Sequence, residues 1–265
     1  MIDFYFIPVS LNHLIYSESV ISLLSSGLGG SHQYWQAQVP ELAKRFKVVI
    51  YDQYGTGKSA GVLPHGYKIA DMAAEIETVM AQSRTERVHI IGHALGGLIG
   101  LQLALQSPEK VASLLLINAW DKTDEHTKRC FDIRKSILKQ AGLEVYLKAQ
   151  PLFLYPSEWM KSNRALLDRE LDHLLSSDFS EDNLLARIAA IEAFDVSQSL
   201  SELACPVGLV ASKDDLLVPY SCSLELDKKL TQSSLYVLEH GGHGCNVTEP
   251  EVFNQILETF YDALR

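Results

Sequence analysis

Short apolar runs bounded by Gly, Pro or Asp alternate along this chain with stretches of helical spacing. This rhythm constrains the fold more than any other feature. Val48–Asp52 (VVIYD), Val88–Gly92 (VHIIG), Val111–Asn118 (VASLLLIN), Val207–Ser212 (VGLVAS) and Ser234–Glu239 (SLYVLE) are too short for helices and read as strands. Their apolar character is continuous rather than alternating, which is expected where a parallel sheet is buried on both faces. Ala70–Gln82, Leu95–Gln106, Ser221–Lys229 and Pro250–Leu264 read as helices between and after them. The fold class is therefore α/β, with a mostly parallel twisted sheet and helices on both faces. From Trp120 to about Leu203 the rhythm stops, and the segment is charged, aromatic-bearing and mostly helical, so an inserted helical cap is expected there. Residues 1–20 show only some strand-like alternation.

Composition narrows the partners. The chain has 265 residues, 47% hydrophobic and 21% charged, with 23 Lys plus Arg against 33 Asp plus Glu and a net charge of −10. That excludes collagen-like, coiled-coil and wholly disordered chains. An acidic balance with no basic run argues against nucleic acid or an anionic membrane as principal partner, because both need Lys and Arg to neutralise phosphates. A small-molecule substrate is the expectation, and oligomeric state is left open. Val88–Pro108 holds 21 residues free of Asp, Glu, Lys and Arg, yet four glycines and a closing proline make it a strand, turn and buried helix rather than a membrane span. Cys130, Cys205, Cys222 and Cys245 have no paired spacing, so reduced thiols and a cytoplasmic location are expected. No Lys or Arg precedes Lys44, so the basic start of a secretory signal is missing.

Three features carry chemistry. Gly92-His93-Ala94-Leu95-Gly96, between a strand and a helix, fits the G-x-S-x-G nucleophile elbow except that Ala94 stands where the nucleophile belongs. Asp214-Asp215 follow the strand Val207–Ser212, and His243 lies in a small-residue loop after the next strand. Both fall at carboxyl ends of strands, where open α/β sheets bind ligands, and the order elbow, acid, histidine is that of the α/β-hydrolase triad. Separately, Asp215 reads as a helix N-cap and His243 as a loop residue held by backbone bonds; three features in the right order favour the site. Of the two carboxylates, a D-x-x-x-P spacing that ends at Pro219 and resembles the α/β-hydrolase pattern selects Asp215 over Asp214.

Other motifs weigh less. Gly55-Thr56-Gly57-Lys58-Ser59 resembles a phosphate-binding loop, but Asp52 sits where its first glycine is required. His240 and His243 have metal-like spacing without a third ligand, so no metal is expected. His93 is expected to pack under the turn. Trp120, Tyr155 and Trp159 are candidates for a pocket, and at least one of Phe153, Tyr155 and Trp159 is expected to fill the cap's core.

These motifs, with the oxyanion-like Gly27-Leu28-Gly29-Gly30, resemble an α/β-hydrolase from about Leu23 to Ala263. SGLGG (26–30), YDQYGTG (51–57), GHALGG (92–97), HTKRCF (126–131), QPLFLYP (150–156), DDLLVP (214–219) and GGHGCNVTEPEVFN (241–254) resemble more closely the RutD family, carbamate or aminoacrylate hydrolases of the Rut pyrimidine-degradation pathway. The resemblance implies a hydrolase core over 1–119 and 204–265 and a cap over 120–203. It also implies a cofactor-free reaction releasing ammonia in uracil catabolism, and backbone donors at Leu28 and Leu95. The family also carries alanine at the elbow, whereas Tyr54 stands where its pattern has arginine. Ala94 excludes an acyl-enzyme at that position and leaves a His243–Asp215 pair able to activate water. A non-catalytic ligand binder and a serine hydrolase carrying a Ser-to-Ala change remain the alternatives.

Overall fold

The structure, a computed structural model, describes residues 1–7, 20–176 and 179–265. Seven strands form one sheet: β1 Phe4–Ile7, β2 Val20–Ser25, β3 Lys47–Tyr51, β4 Arg87–His93, β5 Val111–Ile117, β6 Val207–Ser212 and β7 Ser233–Leu238. Their order is β1-β3-β2-β4-β5-β6-β7. Only β1 runs antiparallel to its neighbour, pairing Phe4 with Tyr51. The helices among the described residues are α1 Val39–Leu42, α2 Ile69–Gln82, α3 Leu95–Gln106, α4 Glu125–Ala141, α5 Leu143–Leu154, α6 Ser157–Ser162, α7 Arg164–Leu175, α8 Glu181–Glu192, α9 Ser221–Lys229, α10 Cys245–Thr248 and α11 Pro250–Ala263. None is long and apolar enough to cross a membrane. The span 88–108 is β4, a turn, α3 and a short C-terminal extension.

The continuous apolar runs are explained by the two cores they feed. Successive strand residues point to opposite faces. Leu23, Val49, Ile90, Leu114, Leu116 and Leu209 enter a cluster with α2, α3 and α9. Their chain neighbours Leu24, Ile50, Ile91, Leu115, Ile117 and Val210 enter a second cluster with Trp35, Leu42 and the Phe253, Leu257, Phe260, Tyr261 stripe of α11. Each fully buried Leu or Ile stabilises the fold by about 1.5–3 kcal/mol relative to exposure, so neither face tolerates a polar alternation. β7, the edge strand, is only partly buried over most of its length.

Between β5 and β6 lie α4 to α8, and the described part of that segment adds one isolated bridge, Lys122 with Asp195, but no strand. Phe131, Leu138, Tyr146, Leu184 and Ile188 from these helices join the first cluster, so they pack onto the sheet's apolar core. Asn183 of α8 fastens them to the loop after β3: its amide donates to the carbonyls of Gly55 (3.1 Å) and Gly61 (2.8 Å) and its oxygen accepts from Leu63 N–H (2.9 Å). The strand-like alternation before residue 20 resolves into β1 and the start of β2, with 8–19 outside the described residues.

Candidate active site

The site is built at the carboxyl ends of β2, β4, β5, β6 and β7, and β4 sets its floor. Ala94 has φ 46° and ψ −111°, a conformation L-residues rarely adopt, forced by a strand that must turn at once into α3. The turn closes because its neighbours lack side chains. A Cβ at Gly96 would lie 1.9 Å from the Ser25 carbonyl oxygen, and one at Gly92 would lie 2.5 Å from the Gly96 carbonyl oxygen. Ala94 N–H donates to Ile117 O at 2.8 Å, which pins the apex to β5. Leu95 opens α3, so its N–H has no helical partner, and Leu28 N–H in the turn Gly27–Gly30 likewise donates to no described acceptor.

The acid and the histidine meet. His243 Nδ1 lies 2.8 Å from Asp215 Oδ2, with side-chain exposures of 3% and 0%. Asp215 Oδ1 accepts the N–H groups of Leu217 (2.8 Å) and Val218 (2.9 Å), which orient the carboxylate. Nδ1–H therefore faces the acid, leaving Nε2 as the ring's remaining basic nitrogen. Asp214 has a different task. It accepts from Gly242 N–H at 2.8 Å, Gly241 N–H at 3.3 Å and Ser212 Oγ–H at 2.6 Å, so it anchors the histidine loop. Burial pushes its carboxyl up, but these hydrogen bonds outweigh burial and hold it below its ordinary range.

His93 packs under the turn as expected, and Asn118 and Tyr34, which sequence reasoning did not single out, complete the site. His93 is buried, and its Nε2–H donates to the His243 carbonyl at 2.8 Å; Asn118 Nδ2 donates to the same oxygen at 2.7 Å. Burial, then the neighbouring His243, depresses the His93 pKa well below the ordinary imidazole range, so His93 is a neutral brace under the turn. Tyr34 stacks 4.8 Å from His93 and donates to Asn246 Oδ1 at 2.7 Å. Burial first, then Tyr155 and Cys245, raises its phenol well above the usual range. Its place four residues past Gly30 was the only sequence signal.

The candidate pocket residues separate. Tyr155 covers the histidine loop: a Cβ at Gly244 would lie 2.7 Å from its ring, and Gly244 N–H donates to Leu154 O at 2.9 Å. Trp159 stacks on Tyr155 at 4.6 Å. Trp120 is buried just past β5, and its Nε1–H has no acceptor among the described residues. Phe153 lies instead against Arg134 inside the helical segment. The phosphate-loop resemblance dissolves, because Asp52 takes the loop's own Lys58 N–H (3.1 Å) and that of His32 (2.9 Å). His240 is exposed and faces Asp214, turned from the buried His243. Tyr54 lays its ring over Gly61, and its carbonyl takes Arg187 Nη2–H at 2.7 Å.

A family profile described as "alpha/beta hydrolase fold" matches residues 23–250. A protein of Agrobacterium fabrum (strain C58) named "Putative carbamate hydrolase RutD" is 46% identical over 244 residues, covering 92% of this chain and 94% of its own. One of the same name from Escherichia coli O1:K1 is 42% identical, covering 94% of each chain. This chain belongs to the RutD family of α/β-hydrolases. Solved structures agree on the fold: the enol-lactonase from Burkholderia xenovorans LB400 superposes with a TM-score of 0.86 at 19% identity, over 98% of this chain and 96% of that one. A hydrolase from Pseudomonas aeruginosa PA01 gives 0.85 at 21%, over 97% and 93%. As a RutD-family hydrolase, the chain keeps the fold's elbow geometry around a residue with no attacking atom.

Proposed function

We propose that this chain hydrolyses carbamate, or 3-aminoacrylate, in pyrimidine breakdown and releases ammonia by water attack rather than through a covalent intermediate. The observation that carries this reading is the buried Asp215–His243 pair beside an elbow whose apex is Ala94. Names of relatives supply the carbamate class, and the helices of 120–203 serve as the cap over the site.

In this reading His243 Nε2 takes a proton from water standing where a serine hydroxyl would lie. The water oxygen bonds to the carbon that carries nitrogen, and the Leu28 and Leu95 N–H groups receive the oxyanion of a carbamate adduct. His243 then returns the proton to the departing nitrogen and the C–N bond breaks, so carbamate yields ammonia and bicarbonate; with 3-aminoacrylate the carbon next to the carboxylate also takes up a proton from solvent, and the products are ammonia and 3-oxopropanoate. Asp215 keeps one tautomer in place and stabilises the transient imidazolium. Each amide donor contributes on the order of 3 kcal/mol to a working oxyanion site, which suits compounds that already decompose unaided in water.

Ammonia release from each substrate, with and without protein, tests the reading. The wild type should exceed the spontaneous rate, and His243→Ala should return it to that rate. A wild type that binds either compound without accelerating its decay is a ligand binder, and the reading fails.

A further inference from the structure

Arg134 of α4 is a buried charge without a counter-charge. It is 4% exposed, and among the described residues no carboxylate lies within ion-pair distance of it. Its Nη2 donates to the Tyr146 hydroxyl at 3.1 Å and to Gln150 Oε1. The rings of Phe131, Phe153 and Tyr146 stand 5.2, 5.7 and 5.8 Å from the guanidinium carbon. Among the described residues the other buried arginine, Arg187, likewise makes no ion pair, but it donates to the Tyr54 carbonyl at 2.7 Å and has Glu75 near enough to act on its charge. Burying an uncompensated guanidinium is costly unless an anion completes it.

The polar groups around Arg134 are in donor surplus: among the described residues, neither Arg134 Nε nor Gln150 Nε2 has an acceptor. A group that only accepts would satisfy them, and a planar carboxylate matches a guanidinium fork.

The position is also apt. One turn before Arg134 on the same face of α4, Cys130 Sγ lies 3.9 Å from Leu216 O, beside Asp215, and one turn earlier His126 Nε2 lies 2.7 Å from that oxygen. Helical side chains lean toward the N-terminus, here toward the acid loop. The facing helix α5, which supplies Tyr146, Gln150 and Phe153, ends at the Leu154 carbonyl bound to the histidine loop. Cys130, whose thiol is raised by burial, thus lies one turn from Arg134 and against the acid loop.

We infer that Arg134, with Gln150 beside it, binds the carboxylate or carbamate anion of the substrate and so selects small monoanions and sets the reacting carbon toward His243. This rests on the hydrolase reading above only for the identity of the substrate. Acrylate, which has the carboxylate and no C–N bond, and acrylamide, its uncharged counterpart, are the probes. Calorimetric titration and melting shifts should show acrylate binding to the wild type and to His243→Ala, with acrylamide at least about 30-fold weaker. Arg134→Met should lose acrylate binding by about 30- to 100-fold, while melting without ligand at or above the wild-type temperature because the unpaired charge is gone. Substrate KM should rise in the same variant. If Arg134→Met fails to fold, Arg134→Lys decides: weaker binding that still prefers acrylate supports the anchor, and equal binding of the two probes overturns it. Full acrylate affinity in Arg134→Met, or a wild type indifferent to charge, also overturns it. Because these titrations need no turnover, an inactive protein that prefers acrylate through Arg134 refutes the catalytic reading and spares the anchor.

Discussion

At position 94 a strained backbone carries only a methyl group, and replacing it tests the elbow directly. Ala94→Ser should place a hydroxyl among the Leu28 and Leu95 amides and within reach of His243, giving fluorophosphonate labelling and p-nitrophenyl acetate hydrolysis on the order of 100-fold above the parent. Turnover of the native substrate by direct water attack should fall, since the hydroxyl takes the water's place. A variant that neither labels nor hydrolyses the ester would mean that His243 and the amide donors are out of catalytic register. Asp215→Asn should lower turnover by at least about 100-fold through loss of the tautomer lock, whereas Asp214→Asn should destabilise by about 1–2 kcal/mol and cost activity less. Steady-state rates beside urea melts check this, and the reverse pattern would exchange the two roles. The order of elbow, acid and histidine was legible in the sequence because each follows its own strand. Asn118 and His93 were not legible as braces, since both act on the backbone carbonyl of a histidine 125 and 150 residues away. Nothing local in a sequence announces which carbonyl a side chain will meet.

Strands β3 to β7 and helices α2, α3, α9 and α11 lie within about a residue of where periodicity puts them, because two buried faces demand uninterrupted apolar runs. β1 is four residues long and antiparallel at the sheet's edge, too brief for a pattern to stand out. The bounds of α4 to α8 were hidden for another reason, since these helices follow one another with no strand between them to mark where each begins. One element offers a pH test. In β4, His89 bonds Ser113 Oγ at 2.8 Å, and burial, then Arg87, lowers its pKa to about 4. The unfolded histidine protonates first as pH falls below about 6.5, so stability is lost from there down toward the folded value. The wild type should therefore lose about 2 kcal/mol between pH 7 and pH 5 that His89→Phe does not lose, read from urea midpoints. Equal losses in both would show that His89 is not buried neutral.

The whole chain should unfold as one unit. Its larger apolar cluster draws on Leu23, Ile90 and Leu116 of the sheet and equally on Phe131, Tyr146 and Ile188 of the helices between β5 and β6. Calorimetry should give a single transition whose van't Hoff and calorimetric enthalpies agree, and a separate early melting of 120–203 would contradict that. The sheet's order was less legible than its members, because β2 lies between β3 and β4 through pairings that no neighbouring sequence encodes. The bond from Gly244 N–H to Leu154 O joins the covering helices to the loop that bears the histidine. Those helices are thus a bearing wall and not a door. Any strain that shifted the end of α5 would be passed through this bond to the loop that holds the histidine, so the two move together or not at all.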